Sequence, residues 1–447
     1  MKKVLLFFLL VFALNAKSQE SKKSYSFSLQ EAVDYALTNN RAAINAGRDI
    51  AIANQKKWET TASGLPQING VLDYQNNLAY QQQGVTGGGA FGGEPGSIST
   101  VAFGTKHNMN AVATVNQLIF DGTYIVALQA SKTYLKYYRN AKVKTDTEIR
   151  EMVINAYGNV LLAQESISIL KKNKSSLEKT VSDAQETFKN GLIEEENVEQ
   201  LQITLASVNS NLNNTTRLFD ISYKMLKITL GLDIDDKLII TDKLENLTQE
   251  SVGSVLAQND FNVENNINYQ IATNFQKQRE LEYKLERSRA LPSLAAHLNL
   301  GYNSFANQFD FLSSNQKWYD YSNAGARLTI PIFSSFAYRA KTQQAKLAFE
   351  QAKTDLEDAE QKLKLEYAKA KSEFDFSVEE FATSKSNLAL AERIEKKQQI
   401  KFKEGLSSSF DFNDAQRQLY SAQQSYLQSM VNIINKKASL EKLNNKL

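Results

Sequence analysis

The sequence predicts a mainly α-helical protein with membrane β-strands: an internally duplicated chain of very long helices, suited to a helical barrel or coiled coil, plus four strands for a β-barrel larger than one chain can close. Three observations predict it. The same short anchors occur twice in the same order; the segments between two of them alternate with a period of two; and the segments beyond them keep a helical period through long runs without proline.

Leu65-Pro66-Gln67-Ile68 recurs as Leu291-Pro292-Ser293-Leu294, and Leu118-Ile119-Phe120 as Pro331-Ile332-Phe333. Phe188-Lys189-Asn190-Gly191-Leu192 recurs as Phe402-Lys403-Glu404-Gly405-Leu406. One such match is weak, but the ordered set signals a duplication. The first half carries the longer insertion between its anchors.

The first residues read as an address. Lys2 and Lys3 precede an apolar run from Val4 to Leu14, and Ala16 and Ser18 offer a small-x-small cleavage site, so residues 1–18 are expected to be a signal peptide with the mature chain starting near Gln19. The run is too short for a spanning helix, which needs roughly 20 residues, and no later run is longer. A mature chain in a membrane would therefore cross it as strands. The absence of cysteine excludes disulfides, thiol nucleophiles, thiolate zinc sites and an N-terminal lipid. Of 52 basic residues, Lys2, Lys3 and Lys17 lie in the leader, so the remainder balance the 49 acidic ones and make no case for nucleic acid.

From Ile68 one face reads Ile68, Gly70, Leu72, Tyr74, Asn76, Leu78, Tyr80 and the other Gln67, Asn69, Val71, Asp73, Gln75, Asn77. The return segment sets Met109, Ala111, Ala113 and Val115 against Asn110, Thr114 and Asn116. In the second half Leu294, Ala296, Leu298, Leu300 and Tyr302 oppose Ala295, His297, Asn299, Gly301 and Asn303; Ala324, Ala326, Leu328 and Ile330 oppose Asn323, Gly325, Arg327 and Thr329. Each half thus holds a hairpin of half-apolar strands about as long as the 9–11 residues a tilted membrane strand needs. Tyr74, Tyr80, Tyr302, Trp318, Tyr319 and Tyr321 gather toward the loop ends, as an interfacial aromatic girdle would. A soluble sheet with one wet face shares the alternation.

Asp121 to Lys189 and Ser335 to Glu404 contain no proline. Such helices would reach roughly 105 Å, whereas globular helices average about 11–12 residues. The stripe Ala345, Ala348, Ala352, Leu356, Ala359, Leu363, Tyr367, Ala370, Phe374, Val378, Phe381 steps with an eleven-residue repeat, which permits nearly straight neighbours. Heptads run through Ala156 to Phe188, Val198 to Phe219 and Phe412 to Ile433, and call for left-handed coiling nearest the Phe-x-x-Gly anchors. Each anchor reads as a reversal between helices: glycine stops the first, and Ser407 to Ser409 offer caps for the next. Two hairpins make four strands, too few to close. Open edges in lipid cost several kcal/mol per unpaired group, so copies must pair; three would make twelve strands.

With these features in place the chain resembles the TolC-like outer-membrane efflux proteins over nearly all of its mature length. Ser28-Leu29-Gln30-Glu31-Ala32-Val33-Asp34-Tyr35-Ala36-Leu37-Thr38-Asn39-Asn40 is similar to the family's opening helix signature, although Arg41 stands where proline is frequent. The Leu-Pro and Pro-Ile-Phe anchors match the beginnings and ends of its strands, and the Phe-x-x-Gly segments its tip turns. The resemblance implies a homotrimer with a twelve-stranded barrel in outer-membrane lipid, a helical tunnel in the periplasm, a periplasmic adaptor and an inner-membrane transporter. It implies a first repeat at 19–230 (hairpin about 65–120, tip turn near 188–193), a belt at 231–262 and a second repeat at 263–447 (hairpin about 291–333, tip turn near 402–409). The function it implies is the passive exit duct of a tripartite efflux or type I secretion system.

Asp411 and Asp414 share a helix face just after the second turn and would set six carboxylates at the tip of a trimer, favouring cations. The family has acidic residues there at its constriction. Acids are also favoured in any first helical turn, a role compatible with the first. Phe188, Gly191, Leu192, Phe402, Gly405, Leu406 and Ser407 are candidates for the tip turns and adaptor contact; Ser407 stands where some relatives carry an arginine. Asn197 and Gln200 replace the aspartates in the first half, and Glu194 to Glu196 crowd its turn. Gly87-x-Gly89-x-x-Gly92 matches a dinucleotide fingerprint in form only, because it joins two antiparallel strands; a surface loop is expected. His107 and His297 come without HExxH, Gly-x-Ser-x-Gly or P-loop partners, and Asp233, Asp235 and Asp236 lack the rest of a calcium loop. No cofactor, metal or enzymatic activity is expected. A periplasmic adaptor or coiled-coil scaffold is the alternative; adaptors usually carry one helical hairpin beside a small β domain.

Overall fold

A computed structural model describes residues 24–86, 94, 96–253 and 261–445; the leader and the middle of the glycine-rich segment lie outside the described residues. In chain order the elements are β1 (Ser24–Phe27), α1 (Leu29–Asn39), α2 (Arg41–Ala62), β2 (Gln67–Asn76), β3 (Gln81–Thr86), β4 (Ile98–Phe103), β5 (His107–Asp121), α3 (Gly122–Lys189), α4 (Glu195–Leu230), β6 (Lys237–Ile240), α5 (Leu244–Gly253), α6 (Ile267–Ser288), β7 (Ser293–Ala306), β8 (Tyr319–Thr329), α7 (Ala337–Lys403) and α8 (Ser409–Leu443). The chain forms two compact units, one of residues up to 50 with 138–272 and 357–447, the other of residues 51–137 and 273–356.

The second unit is built on one antiparallel sheet in the order β2-β5-β7-β8. The β5–β7 pairing joins the two hairpins, with a register shift between Leu118 and Phe120. The register keeps both alternations in phase across all four strands. Gln67, Asn116, His297 and Gly325 form one rung; Asn69, Thr114, Asn299 and Asn323 the next; Asp73, Asn110, Asn303 and Tyr319 lie further toward the loops. These residues share a face, since side chains on a strand repeat with period two. The opposite face carries Ile68, Leu72, Val115, Leu298, Leu300 and Leu328.

Amides are stitched along the polar face: Thr114 Oγ1 donates to Asn299 Oδ1 at 2.7 Å, Asn299 Nδ2 to Asn323 Oδ1 at 2.9 Å, and the Tyr321 hydroxyl to Asn110 Oδ1 at 3.0 Å. Two cross-strand glycines make room for rings. A Cβ on Gly301 would lie 2.6 Å from the Tyr321 ring, and one on Gly325 would lie 2.7 Å from the His297 ring. Tyr321 and Tyr319 therefore belong to the polar face, while Tyr74 and Tyr302 belong to the apolar one, so the expected girdle is split between faces. At the loop end of the apolar face Tyr74 packs edge-on against Phe309 at 5.4 Å and Phe311 at 6.1 Å, and its hydroxyl bonds His107 Nδ1 at 2.8 Å.

The alternation read from Ile68 through Tyr80 suggests one strand, but β2 stops at Asn76. Asn77 turns aside, its N–H donating to the Lys106 carbonyl and its side-chain amide to the Thr105 carbonyl, each at 2.8 Å. Asparagine offers the backbone such local alternatives to a ladder. The chain resumes as β3, which pairs with β4 in a separate antiparallel ribbon. The insertion is thus partly a ribbon rather than loop alone; residues 87–93, with the Gly87-x-Gly89-x-x-Gly92 match, lie outside the described residues.

In the first unit a core gathers α1, α3, α4, β6, α5 and α8 around the wholly buried Tyr157, Leu226, Leu230 and Val431. Short β1 and β6 pair in parallel, Ser24 to Lys237 through Phe27 to Ile240. Gly231 ends α4 with φ 85°, where a Cβ would come within 2.2 Å of the Asn39 carbonyl oxygen; only glycine satisfies both demands. Asn40 secures the same junction, its amide donating to the Thr229 carbonyl at 2.7 Å. Along α7 the buried Ala352, Leu363 and Phe374 recur at every eleventh residue, the spacing of the straight-helix stripe.

Candidate functional site

The two Phe-x-x-Gly segments end α3 and α7 in the same local structure. Gly191 has φ 73° and Gly405 φ 69°, left-handed values that glycine adopts without a Cβ clash. The N–H of Leu192 reaches the Thr187 carbonyl at 3.2 Å and that of Gly191 the Phe188 carbonyl at 2.8 Å. Leu406 and Gly405 repeat this on Lys401 and Phe402, at 2.8 and 3.1 Å. Both are Schellman caps, which satisfy the last carbonyls of a helix and end it.

The helices beyond the two turns begin differently. Ser408 caps α8 in a reciprocal box: its Oγ accepts from the Asp411 N–H at 3.1 Å and donates to Asp411 Oδ2 at 2.8 Å, and its own N–H reaches the same oxygen at 3.4 Å. α4 instead starts after Glu194 with no side-chain cap bond. The Ser408 hydroxyl, followed by its N–H, holds the Asp411 carboxyl below the usual range. Asp414 turns the other way, pairing with Arg417 at 3.0 Å and accepting from Gln418 Nε2 at 2.7 Å. The two aspartates sit on one helix, yet each is committed to its own local partner. Ser407 donates to Gln398 Oε1 at 3.1 Å.

Beneath the turns Phe402 stacks on Phe412 with centroids 5.4 Å apart. Phe412 is wholly buried in a cluster with Leu177, Val181, Ala184, Val198, Leu201 and Val208. This small core holds both turns at one end of the unit. Leu192 and Leu406 stand on its surface, 74% and 77% exposed. Thr180, Thr187, Leu192, Ile193, Phe402 and Lys403 line a recess between the turns.

Sequence reasoning missed a polar interlock just inside this end. Thr204 Oγ1 donates to Asn413 Oδ1 at 3.2 Å, and Asn413 Nδ2 donates to Gln200 Oε1 at 3.5 Å. Asn173 Nδ2 donates to Gln423 Oε1 at 2.8 Å. Asn413 adjoins the apolar stripe, but no local pattern names a partner so distant in the chain. Glu395 was missed as well. Burial pushes its carboxyl up, and burial, then the charge of Glu395, pushes the Tyr420 phenol up to about 12.

Among the described residues no group of His, Asp and Glu could hold a metal ion, and no helix is long and apolar enough to cross a membrane.

Residues 264–446 match the family described as outer membrane efflux protein. No curated protein matches the chain in sequence. Among solved structures the chain is similar to CusC, a transmembrane channel, with a TM-score of 0.76 and 16% identity over 96% of this chain and 95% of that one. It is similar to the outer membrane protein VceC of Vibrio cholerae, with a TM-score of 0.71 and 14% identity over 93% and 96%. The open state of the MtrE outer membrane channel of Neisseria gonorrhoeae matches with a TM-score of 0.69 and 18% identity over 96% and 94%. Likeness at such identities is likeness of fold.

Proposed function

Because residues 264–446 match the outer membrane efflux protein family and the whole chain has the fold of the TolC-like channels, we propose that the protein is the outer-membrane exit duct of a tripartite efflux or type I secretion system. The observation that carries this reading is a four-stranded sheet with one apolar face, one amide-lined face and two edges, β2 and β8, that are unpaired among the described residues. In lipid each unpaired backbone group costs several kcal/mol. Three copies joined edge to edge close a twelve-stranded barrel, put the apolar face toward lipid and the amides toward a wet lumen. The duct does no chemistry. An inner-membrane transporter supplies the energy, and a periplasmic adaptor meets the exposed Leu192 and Leu406 at the turns.

We read the chain as a signal peptide (1–18), two repeats (19–230 and 263–447) and a belt between them (231–262). Asp411 and Asp414 from three copies form the charged ring at the tip. Asp411 contributes more to it, since Arg417 offsets Asp414.

Two measurements test this. The protein should sediment with the outer membrane and resist extraction by salt, and the purified complex should conduct ions in a planar bilayer. Asp411→Ala should lower cation preference more than Asp414→Ala. A salt-extractable or soluble protein would favour an adaptor or scaffold, and unchanged selectivity in the double variant would remove the ring.

A further inference from the structure

The polar face of the sheet carries few charges, and they lie at opposite ends. Arg327 is the one lysine or arginine in β2, β5, β7 and β8. It pairs in register with Ala295, next to the rung that holds His297, at the end where β7 begins and β8 finishes. Asp73 shares a rung with Asn303 at the other end. Eight residues along β7 separate these rungs, about 27 Å at roughly 3.4 Å per residue. That is beyond the Debye length of about 8 Å at physiological salt, so Asp73 does not neutralise Arg327. Asp121 lies nearer, but its carboxylate takes the N–H groups of Thr123 and Tyr124 at 2.6 and 3.3 Å. There the amino end of α3 offsets its charge.

Arg327 is exposed and makes no ion pair or hydrogen bond among the described residues. Its surroundings are built to leave it so. The nearby Asn299 is engaged on both sides, accepting from Thr114 and donating to Asn323. Gly325 lets the His297 ring lie flat across β8 beside it. Thr114, Asn116, His297, Asn299 and Arg327 line a shallow recess on this face. A guanidinium whose donors are free, beside an imidazole and amides, is suited to a planar or tetrahedral oxyanion, which it grips by two parallel N–H bonds.

We propose that Arg327, with His297 beside it, is an anion-binding station on the lumen wall, favouring solutes that carry a carboxylate or phosphate. The proposal rests on the reading of the sheet as one third of a closed barrel. There three copies form a positive collar on the lumen wall.

The test is the reversal potential of the purified complex in a planar bilayer under a potassium chloride gradient, with inorganic phosphate added as a probe of block. Arg327→Gln should lower the anion-to-cation permeability ratio by about twofold or more, and Arg327→Glu further, as expected when a charge lining a confined pore is removed or reversed. Arg327→Lys should keep the chloride selectivity but weaken block by phosphate, because the two-pronged grip is lost. Channels that conduct with unchanged reversal potential in both the Gln and Glu variants would overturn the station and leave the duct standing. Wild-type protein that forms no channel would overturn the duct, and the station with it.

Discussion

Glu395 and Asp411 are carboxylates in the same unit whose environments act in opposite directions. Asp411 is held below its ordinary range by Ser408, so its contribution is present above that range and is lost only as pH falls through the lowered folded value. The cap on α8 should therefore be intact from neutral pH down to about pH 5, where an ordinary aspartate is still ionised. Burial raises Glu395, which penalises its charged form. Stability is then highest below the ordinary glutamate range and falls as pH rises through the raised folded value. Glu395→Gln should raise the thermal midpoint at neutral pH, with the gain shrinking as pH drops into the carboxylate range. A loss of stability at neutral pH would show that the charge is held by a favourable contact. Tyr157 is buried in a different way: its hydroxyl lies 3.1 Å from both the Phe27 carbonyl and the Asp242 carboxylate, while Asp242 Oδ2 accepts the Leu29 N–H at 2.6 Å. One phenol thus ties β1, the start of α1 and the segment after β6 to α3.

At the scale of elements, the stripe on α7 makes a sharp contrast testable. Phe374 is wholly buried against Ile433 and Leu440, whereas Phe376, two residues on, is 63% exposed. Phe374→Ala should cost about 3–5 kcal/mol in unfolding free energy, as large-to-small core changes do, and Phe376→Ala much less within one chain. Equal effects would mean that the eleven-residue stripe does not set the packing. The helices were legible because their stripe, their freedom from proline and their glycine stops all agree in the local sequence. The four strands of the sheet were legible from alternation, which the register preserves. Alternation also ran past its limit at Asn77, where a side chain competes for the backbone, and it could not show that β5 pairs with β7, since period two is silent about neighbours. The two turns were half legible: Gly191, Gly405 and the cap at Ser408 follow from local rules, but the engagement of Asp414 by Arg417 and the Thr204–Asn413–Gln200 interlock depend on rotamers and on contacts across helices.

For the molecule as a whole, the open outer edges of β2 and β8 call for further copies. Nothing else about the chain demands partners so directly, because a sheet with an apolar face and open β2 and β8 edges is unfinished in lipid. The chain has no cysteine, so introduced pairs report without background. Within one copy β2 and β8 are separated by β5 and β7, three inter-strand steps or about 14 Å, twice the Cα separation of about 7 Å that a disulfide tolerates. Any disulfide between these strands must therefore join two copies. The decisive measurement is a scan of single cysteine pairs, one in β2 and one in β8, oxidised in intact membranes and resolved on a non-reducing gel. Closure by three copies predicts at least one register that yields a covalently closed three-chain species and none beyond it. Chains that stay monomeric at every register, or that stop at two, would contradict it.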